Sequence, residues 1–310
     1  MTPNIAIISV RGQDYHPSRR LIEAAAQRGA RATVIHPYHM LPAVLDGRVL
    51  LGGPAGGERF DVVLPRQGAE IKTACLPLIA HFERSGIPVI NGLQAILTVR
   101  HKYLALQVLA AAGLPVPDTI YIGEAKYFSA ALERLPPGPV VVKPISGRQG
   151  SGIVCLQPGQ ALPDESKAEL DNGRGLLLQA FIAPEMRQDV RALVVGETVV
   201  GAMALTPRSG EFRANFHLGS ASQPIRLPSE TAAMAVKAAR AVGLAIAGVD
   251  LMLLKNNRCL VIEVNYAPGF RGLEQATGLD VAGAIIDYAL ARCRDTGAQE
   301  EKKGMDACEF

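Results

Sequence analysis

Asp250, Glu263 and Asn265 are three oxygen-bearing side chains set in two short apolar runs, Ala247-Gly248-Val249-Asp250-Leu251-Met252 and Val261-Ile262-Glu263-Val264-Asn265. Both runs read as β-strands, being short and rich in β-branched and apolar residues. The polar break Lys255-Asn256-Asn257-Arg258 between them suits a tight turn, because Asn tolerates positive φ. With Asn256 and Asn257 at the turn, Asp250 faces Glu263 directly, and Asn265 lies two residues further along the same face. Like charges opposed on a sheet are destabilising, and a cation between them reverses the penalty. Two carboxylates and an amide oxygen are hard donors of the kind Mg²⁺ takes, with phosphate oxygens completing its shell. A solvent-facing polar stripe on a hairpin has the same alternation, so the rest of the chain must supply a phosphate site.

The chain that positions these residues has 310 of them, enough for two or three domains and a sizeable core. Its 48% hydrophobic and 20% charged content is that of an ordinary globular protein, and a net charge of +3 is too mild to argue for nucleic acid. No run of 18 apolar residues occurs and residues 1–8 lack a signal-peptide pattern, so no membrane span is expected and a cytoplasmic location is. The five cysteines form no CxxC pair, which speaks against a zinc site and a disulfide framework.

Residues 4–92 alternate strand patterns (5–10, 32–36, 61–65, 89–90) with helical ones (18–28, 73–85), which predicts a parallel sheet covered by helices. The glycine-rich stretch 46–60 is expected to be a flexible loop; it is not a Walker loop, since no Gly-Lys-Ser/Thr follows. A helix is expected over 98–112, ended by Gly113, with Pro115 and Pro117 beyond. Strand 140–144, loop 146–152 and strand 153–156 read as a hairpin whose glycines let backbone N–H groups cradle phosphate, in a loop able to close as a lid. Strands at 177–181, 189–195 and 198–204 and a helix at 229–242 precede the metal hairpin. A helix at 281–292 follows it, and 295–310 reads as a frayed tail.

Several stretches combine in order. They are Pro65-Arg66-Gln67-Gly68; Lys102 with Leu109, Gly113, Pro115 and Pro117; and Val141-Val142-Lys143-Pro144 with Gly147-Arg148-Gln149-Gly150-Ser151-Gly152-Ile153. Asp189-Val190-Arg191 with Phe212-Arg213-Ala214-Asn215-Phe216-His217-Leu218-Gly219 follows, and then the two metal strands, the second continuing Tyr266-Ala267-Pro268-Gly269. Together they resemble the ATP-grasp superfamily and, within it, the RimK-type alpha-L-glutamate ligases. The resemblance implies an α/β fold: an N-terminal parallel-sheet pre-ATP-grasp domain (1–93) before a two-subdomain, α+β ATP-grasp fold. The latter divides into a central lid subdomain (94–180) and a C-terminal catalytic subdomain (181–294), with a disordered tail (295–310).

The implied reaction phosphorylates a substrate carboxylate with ATP and lets an amine attack the acyl phosphate, giving an amide, ADP and phosphate. The implied cofactors are ATP and Mg²⁺, as two ions that Mn²⁺ can replace. Asp250, Glu263 and Asn265 hold the metal in this scheme, and Lys102 and Lys143 reach the phosphates from opposite sides. Gly147, Gln149, Gly150, Ser151 and Gly152 form the phosphate loop, Gln179, Ala180 and Phe181 the adenine linker, and Asp189 takes the ribose. Arg213 stabilises the transferring phosphoryl group beside the nucleotide with Asn215, and Arg191 and Asn215 position the acceptor. Partners are a small-molecule or peptide carboxylate acceptor and an amino acid, L-glutamate foremost, with no nucleic acid and no membrane, in a homo-oligomer. Two departures from the family pattern fall near the acceptor: Leu205-Thr206-Pro207-Arg208-Ser209-Gly210-Glu211 keeps one arginine, and Arg271 stands where an acidic residue is usual. A nucleotide-binding regulatory module without turnover is the alternative from another class. A Rossmann-type dehydrogenase fails, because Ser9-Val10-Arg11-Gly12-Gln13-Asp14 lacks Gly-x-Gly-x-x-Gly.

Overall fold

Ile5, Ala6, Ile7 and Ile8 are fully buried, as the middle strand of a helix-covered parallel sheet requires. The structure, a computed structural model, describes residues 2–55, 57–66, 75–145, 151–208, 210–213 and 221–306, without the side chains of Ala221 and of 294–306. The buried run forms β1 (Asn4–Ile8), and α1 (His16–Gln27) carries the chain to the parallel strand β2 (Arg31–Ile35). Next comes a hairpin, β3 (Leu41–Leu45) and β4 (Arg48–Gly52), in place of the flexible loop expected over 46–60. Asp46 and Gly47 turn it with φ of 48° and 73°, the two positive values a two-residue hairpin turn takes. β5 (Val62–Pro65) pairs with the other side of β1, giving the order β2-β1-β5. The strand expected at 89–90 is a single parallel bridge from Val89 to Val63.

α2 (Leu76–Arg84) lies within the helix expected over 73–85, whose first two residues fall outside the described ones. The helix expected over 98–112 is two helices, α3 (Leu93–Arg100) and α4 (Lys102–Ala111). His101 breaks them with an extended ψ of 102° and then caps α4, its Nδ1 accepting from the Leu104 amide. Lys102 thereby opens a helix, with its amide donating to the Ile145 carbonyl at 3.0 Å. The next elements are β6 (Thr119–Ile122), α5 (Phe128–Leu132), β7 (Val140–Pro144), β8 (Val154–Leu156), α6 (Asp164–Asp171) and β9 (Leu176–Ala180). Their strands make an antiparallel sheet ordered β6-β9-β7-β8 over a small core that includes Val142, Leu176 and Leu178.

β10 (Arg187–Val195), β11 (Thr198–Thr206) and β12 (Ala221–Pro224) lead through α7 (Ser229–Ala241) to β13 (Ile246–Leu254) and β14 (Cys259–Asn265). This second antiparallel sheet is ordered β12-β11-β10-β13-β14. Val190, Ala192, Val194, Ala247 and Val249 on one face pack with residues of α3, α4 and α7. Leu193, Val195 and Ile246 join the opposite core, which the N-terminal parallel sheet and α1 share. α8 (Arg271–Thr277) and α9 (Val281–Asp306) complete that core. α9 runs fourteen residues past the end expected at 292, so most of the stretch read as a frayed tail is helical. Among the described residues no helix is long and apolar enough to cross a membrane.

Candidate active site

The β13–β14 hairpin sets the register of the metal residues by two offsets that cancel. Its turn is a three-residue loop, Lys255-Asn256-Asn257, with Leu254 N donating to Arg258 O at 2.8 Å and Asn257 at φ 62°. That loop pairs Leu251 with Val261 and, continued unchanged, would set Asp250 against Ile262. A bulge on β14 adds one residue there, and Asp250 faces Glu263 as the simpler two-residue turn predicted. Asn265 pairs with Gly248, where a Cβ would come within 2.8 Å of Pro268 Cβ. Glycine at 248 therefore lets the segment after Asn265 close over the strand ends.

Arg191 on β10 pairs with Asp250, so Arg191, Asp250 and Glu263 form one rung across three strands. Arg191 donates through Nε and Nη2 to the two Asp250 oxygens, each at 2.7 Å, a bidentate fork. Lys102 Nζ donates to Glu263 Oε1 at 2.9 Å from the start of α4. Each of the opposed carboxylates thus has its own cation. Burial pushes the Glu263 carboxyl up, but Lys102, Arg191 and Lys143 together hold it below its usual range. Asp250 in turn drives the Arg191 guanidinium well above its ordinary value. Asn265 Nδ2 lies 3.3 Å from Asp250 Oδ2, and a half turn of the amide would present its carbonyl oxygen instead.

The donor set is two carboxylates and an amide, Asp250 and Glu263 being 21% and 37% exposed and so open to an arriving cation. Among the described residues no three His, Cys, Asp or Glu side chains gather into a metal cluster. Oxygen donors with no thiolate or imidazole fit Mg²⁺, which fills its shell from phosphate and water.

A narrow cleft runs between α4 and β14 on one side and β7 and β9 on the other. Leu106, Leu177 and Ile262 line it with apolar surface, while Lys102, Lys143, Gln179 and Glu263 add its polar groups. An apolar slot with two lysines suits a nucleotide, base against the aliphatic wall and phosphates on the ammonium groups. Lys143 donates to Gln179 Oε1, and Gln179 Nε2 donates to Thr119 Oγ1 at 2.8 Å, so the lysine is aimed by a fixed amide. Burial first, and Lys102 second, push Lys143 down to about 8.

A bound phosphate would raise Lys143 again, so ATP binding at pH 8 should take up about half a proton. Calorimetry in two buffers of different ionisation enthalpy measures that uptake, and Lys143→Met should abolish it. Uptake unchanged in the variant would assign the proton to another group. Because the folded value lies below the unfolded one, the unfolded chain binds more protons between the two. Lys143 therefore makes the protein more stable as pH rises from about 8 toward 10.5.

Other expected residues are placed less centrally. Ala180 N donates to Asp118 O at 3.0 Å and Phe181 N to Pro139 O at 3.1 Å, so both linker amides are engaged inside the protein. Asp189 accepts from Arg187 Nε on both oxygens at 3.1 Å. Arg213 is held by Glu211, with Nε donating to Oε1 at 2.9 Å and Nη2 to Oε2 at 2.7 Å. The Phe212 and Arg213 amides donate to the same Oε1, and Arg213 above all holds the Glu211 carboxyl down at about 2. Ser151 and Gly152 are described, whereas Gly147, Gln149, Gly150 and Asn215 lie outside the described residues.

Two positioning residues were missed. Arg187 donates to the Ile182 carbonyl and, at 2.7 Å, to the Phe212 carbonyl, tying the linker, Asp189 and the Arg213 loop together. Its signal was the alternation Arg187, Asp189, Arg191 on one face of β10. Asn91 is buried, and its amide bonds to the start of β13 and to Tyr266 beside Asn265. No local pattern marks it.

The family model described as the RimK-like ATP-grasp domain matches residues 99–289, and that of the RimK pre-ATP-grasp domain matches 4–96. A "Probable alpha-L-glutamate ligase" of Picosynechococcus sp. is 36% identical over 291 residues, covering 91% of this chain and 94% of its own. The "Probable alpha-L-glutamate ligase 1" of Shewanella amazonensis is 34% identical over 301 residues, covering 95% and 99%. Among solved structures, a RimK domain ATP-grasp protein from Sphaerobacter thermophilus is similar with a TM-score of 0.69 at 25% identity, over 93% of this chain and 99% of that one. The ATP-grasp ligase PsnB, complexed with a precursor variant, Mg and ADP, reaches a TM-score of 0.71 at 20% identity, over 93% and 98%, a likeness of fold. Fold, hairpin and likenesses agree, and the chain belongs to the RimK-like ATP-grasp family.

Proposed function

We propose L-glutamate as the amino acid whose amine this ATP-grasp ligase joins to a substrate carboxylate activated by ATP. The observation that carries the reading is the rung Arg191–Asp250–Glu263 with Lys102 on its end, set beside a cleft that also presents Lys143. Activating a carboxylate with ATP brings anions together, so the site must supply fixed positive charge where they meet. Lys102 and Lys143 bind and orient the phosphates, and Arg191 fixes the Asp250 carboxylate. Asp250, Glu263 and Asn265 would hold Mg²⁺, in this reading two ions replaceable by Mn²⁺, whose chemistry when bound is to neutralise charge developing in phosphoryl transfer. Arg213 stabilises the acyl phosphate from the neighbouring loop, and Asn215 shares in binding the nucleotide and the acceptor. Glutamate is supported by the names of relatives at 34% and 36% identity. The acceptor is a small-molecule or peptide carboxylate, and the working form a homo-oligomer.

The test is mass spectrometry of a host-cell metabolite and peptide extract incubated with the purified protein, ATP, Mg²⁺ and isotope-labelled glutamate. A labelled species formed only with ATP is expected and would identify the acceptor. Bound ATP with no ADP formed and no label transferred would overturn the reading in favour of a nucleotide-binding regulatory module.

A further inference from the structure

We propose that Arg66 anchors a carboxylate of the non-nucleotide substrate at the C-terminal edge of the parallel sheet, an inference that rests on the ligase reading above. Arg66 follows β5 directly, its amide donating to Ile8 O at 3.0 Å. Its side chain is buried, the residue being 6% exposed, and Nη2 donates to the Pro268 carbonyl at 2.7 Å. Nε and Nη1, also buried, have no hydrogen-bond partner among the described residues. Burial pushes the guanidinium down to about 10, which still leaves it charged at neutral pH. The Phe270 ring lies 5.8 Å from the guanidinium carbon, and the Tyr15 phenol is close enough to favour the charged form slightly.

Arg187 and Arg191, by contrast, each meet a carboxylate directly. A buried cation with two unused donors and no carboxylate partner among the described residues is costly, and an arriving carboxylate removes the cost by accepting from both.

The place is one where the fold favours a ligand. In the order β2-β1-β5 the chain leaves β1 through α1 to one side, while β5 lies on the other. The carboxyl ends of β1 and β5 therefore flank a topological switch point, where open α/β sheets bind ligands. α1 begins at the same edge, and its N-cap, Tyr15, accepts no side-chain hydrogen bond from the helix. The positive end of that helix adds to the Arg66 charge. Pro268, the partner Arg66 holds, comes three residues after Asn265, so the switch point adjoins the segment leaving the metal strand. Glu274, on the helix that follows Phe270, is already engaged, lying 3.1 Å from Arg20 and 3.7 Å from His16.

The carboxylate could come from the incoming amino acid or from the acceptor, and two probes separate them. The full chain is loaded with a non-hydrolysable ATP analogue and Mg²⁺, then titrated by calorimetry with L-glutamate or N-acetyl-L-glutamate, whose blocked amine can only mimic an acceptor. Arg66→Met should weaken at least one probe by about tenfold or more while nucleotide affinity stays within about twofold. Loss for L-glutamate alone places the amino acid at Arg66, and loss for the acetylated probe places the acceptor carboxylate. No loss for either, or no binding of either to the wild type, overturns the proposal. Should Arg66→Met not fold, the Arg66 Nε–H resonance of the wild-type protein, assigned by its disappearance in Arg66→Lys, is expected to shift and saturate with the probe. A resonance that stays still overturns the proposal equally. Since no step requires turnover, failure of the ligase reading would appear separately, as absent ADP formation.

Discussion

Asp250→Asn is expected to lower kcat by about 10³-fold, the scale seen when a fixed group stabilising transition-state charge is lost. Asp250 holds two things at once. Its oxygens are candidate metal donors, and they accept both forks of Arg191 at 2.7 Å. An amide in its place removes the negative charge from the metal set and leaves Arg191 without its counter-ion. The fold should survive, because hairpin register comes from the Lys255–Asn257 loop and the Ile262 bulge rather than from the carboxylates. With both partners only a fifth to a quarter exposed, solvent screens the pair weakly, and leaving Arg191 without its counter-ion should cost about 3 kcal/mol. Glu263→Gln should also impair turnover, with a smaller stability loss, since Lys102 can swing its head toward water. Steady-state turnover, Mg²⁺ titration of nucleotide binding and a thermal melt separate these effects. Near-normal turnover in both variants would remove the two residues from the metal site.

Most of the catalytic sheet was legible because its strands are short, apolar and alternating, and because the hairpin brings its chemistry together locally. Asp250 opposite Glu263 needed only the turn between them, though the register was reached by two offsets that no residue pattern announces. Asp46-Gly47 was a readable hairpin signal masked by the glycines after it, so β4 was taken for loop. The break at His101 was not readable: no Gly or Pro marks it, and the tertiary bond from the Lys102 amide to Ile145 accompanies the restart. Arg66 and Asn91 share a different obstacle. Their partners lie more than 150 positions away, at Pro268, Ile246 and Tyr266, so the sequence around each says nothing about what it holds. A local pattern can mark such a residue, as the run Pro65-Arg66-Gln67-Gly68 marks Arg66, but it cannot name a partner that only the fold brings near.

Asn91→Ala should therefore be the most destabilising single change in the molecule outside the hydrophobic core. The Asn91 side chain makes every bond an amide of its kind needs: Nδ2 donates to Ile246 O at 2.7 Å and Tyr266 O at 2.8 Å. Oδ1 accepts from Ala245 N at 2.8 Å and Ile246 N at 3.0 Å. Alanine leaves two carbonyls and two amides of the β13 entry and the β14 exit unpartnered in a buried place. At about 1–3 kcal/mol for each unsatisfied group, partly relieved by entering water, the loss should be about 4 kcal/mol. For a chain of 310 residues that corresponds to a fall in Tm of about 6 °C. Asn91→Asp should be no better, since it keeps the acceptor but turns an oxygen toward two carbonyls. Function should fail in a characteristic way. Tyr266 follows Asn265, and Ile246 begins the strand that carries Asp250, so loosening both ends spreads the metal donors before it touches the lysines. The Mg²⁺ concentration for half-maximal turnover should rise several-fold in whatever fraction stays folded, while nucleotide affinity measured without metal stays near wild type. Equal weakening of both would mean that Asn91 holds the whole cleft, and unchanged stability would mean that water replaces the amide at no cost.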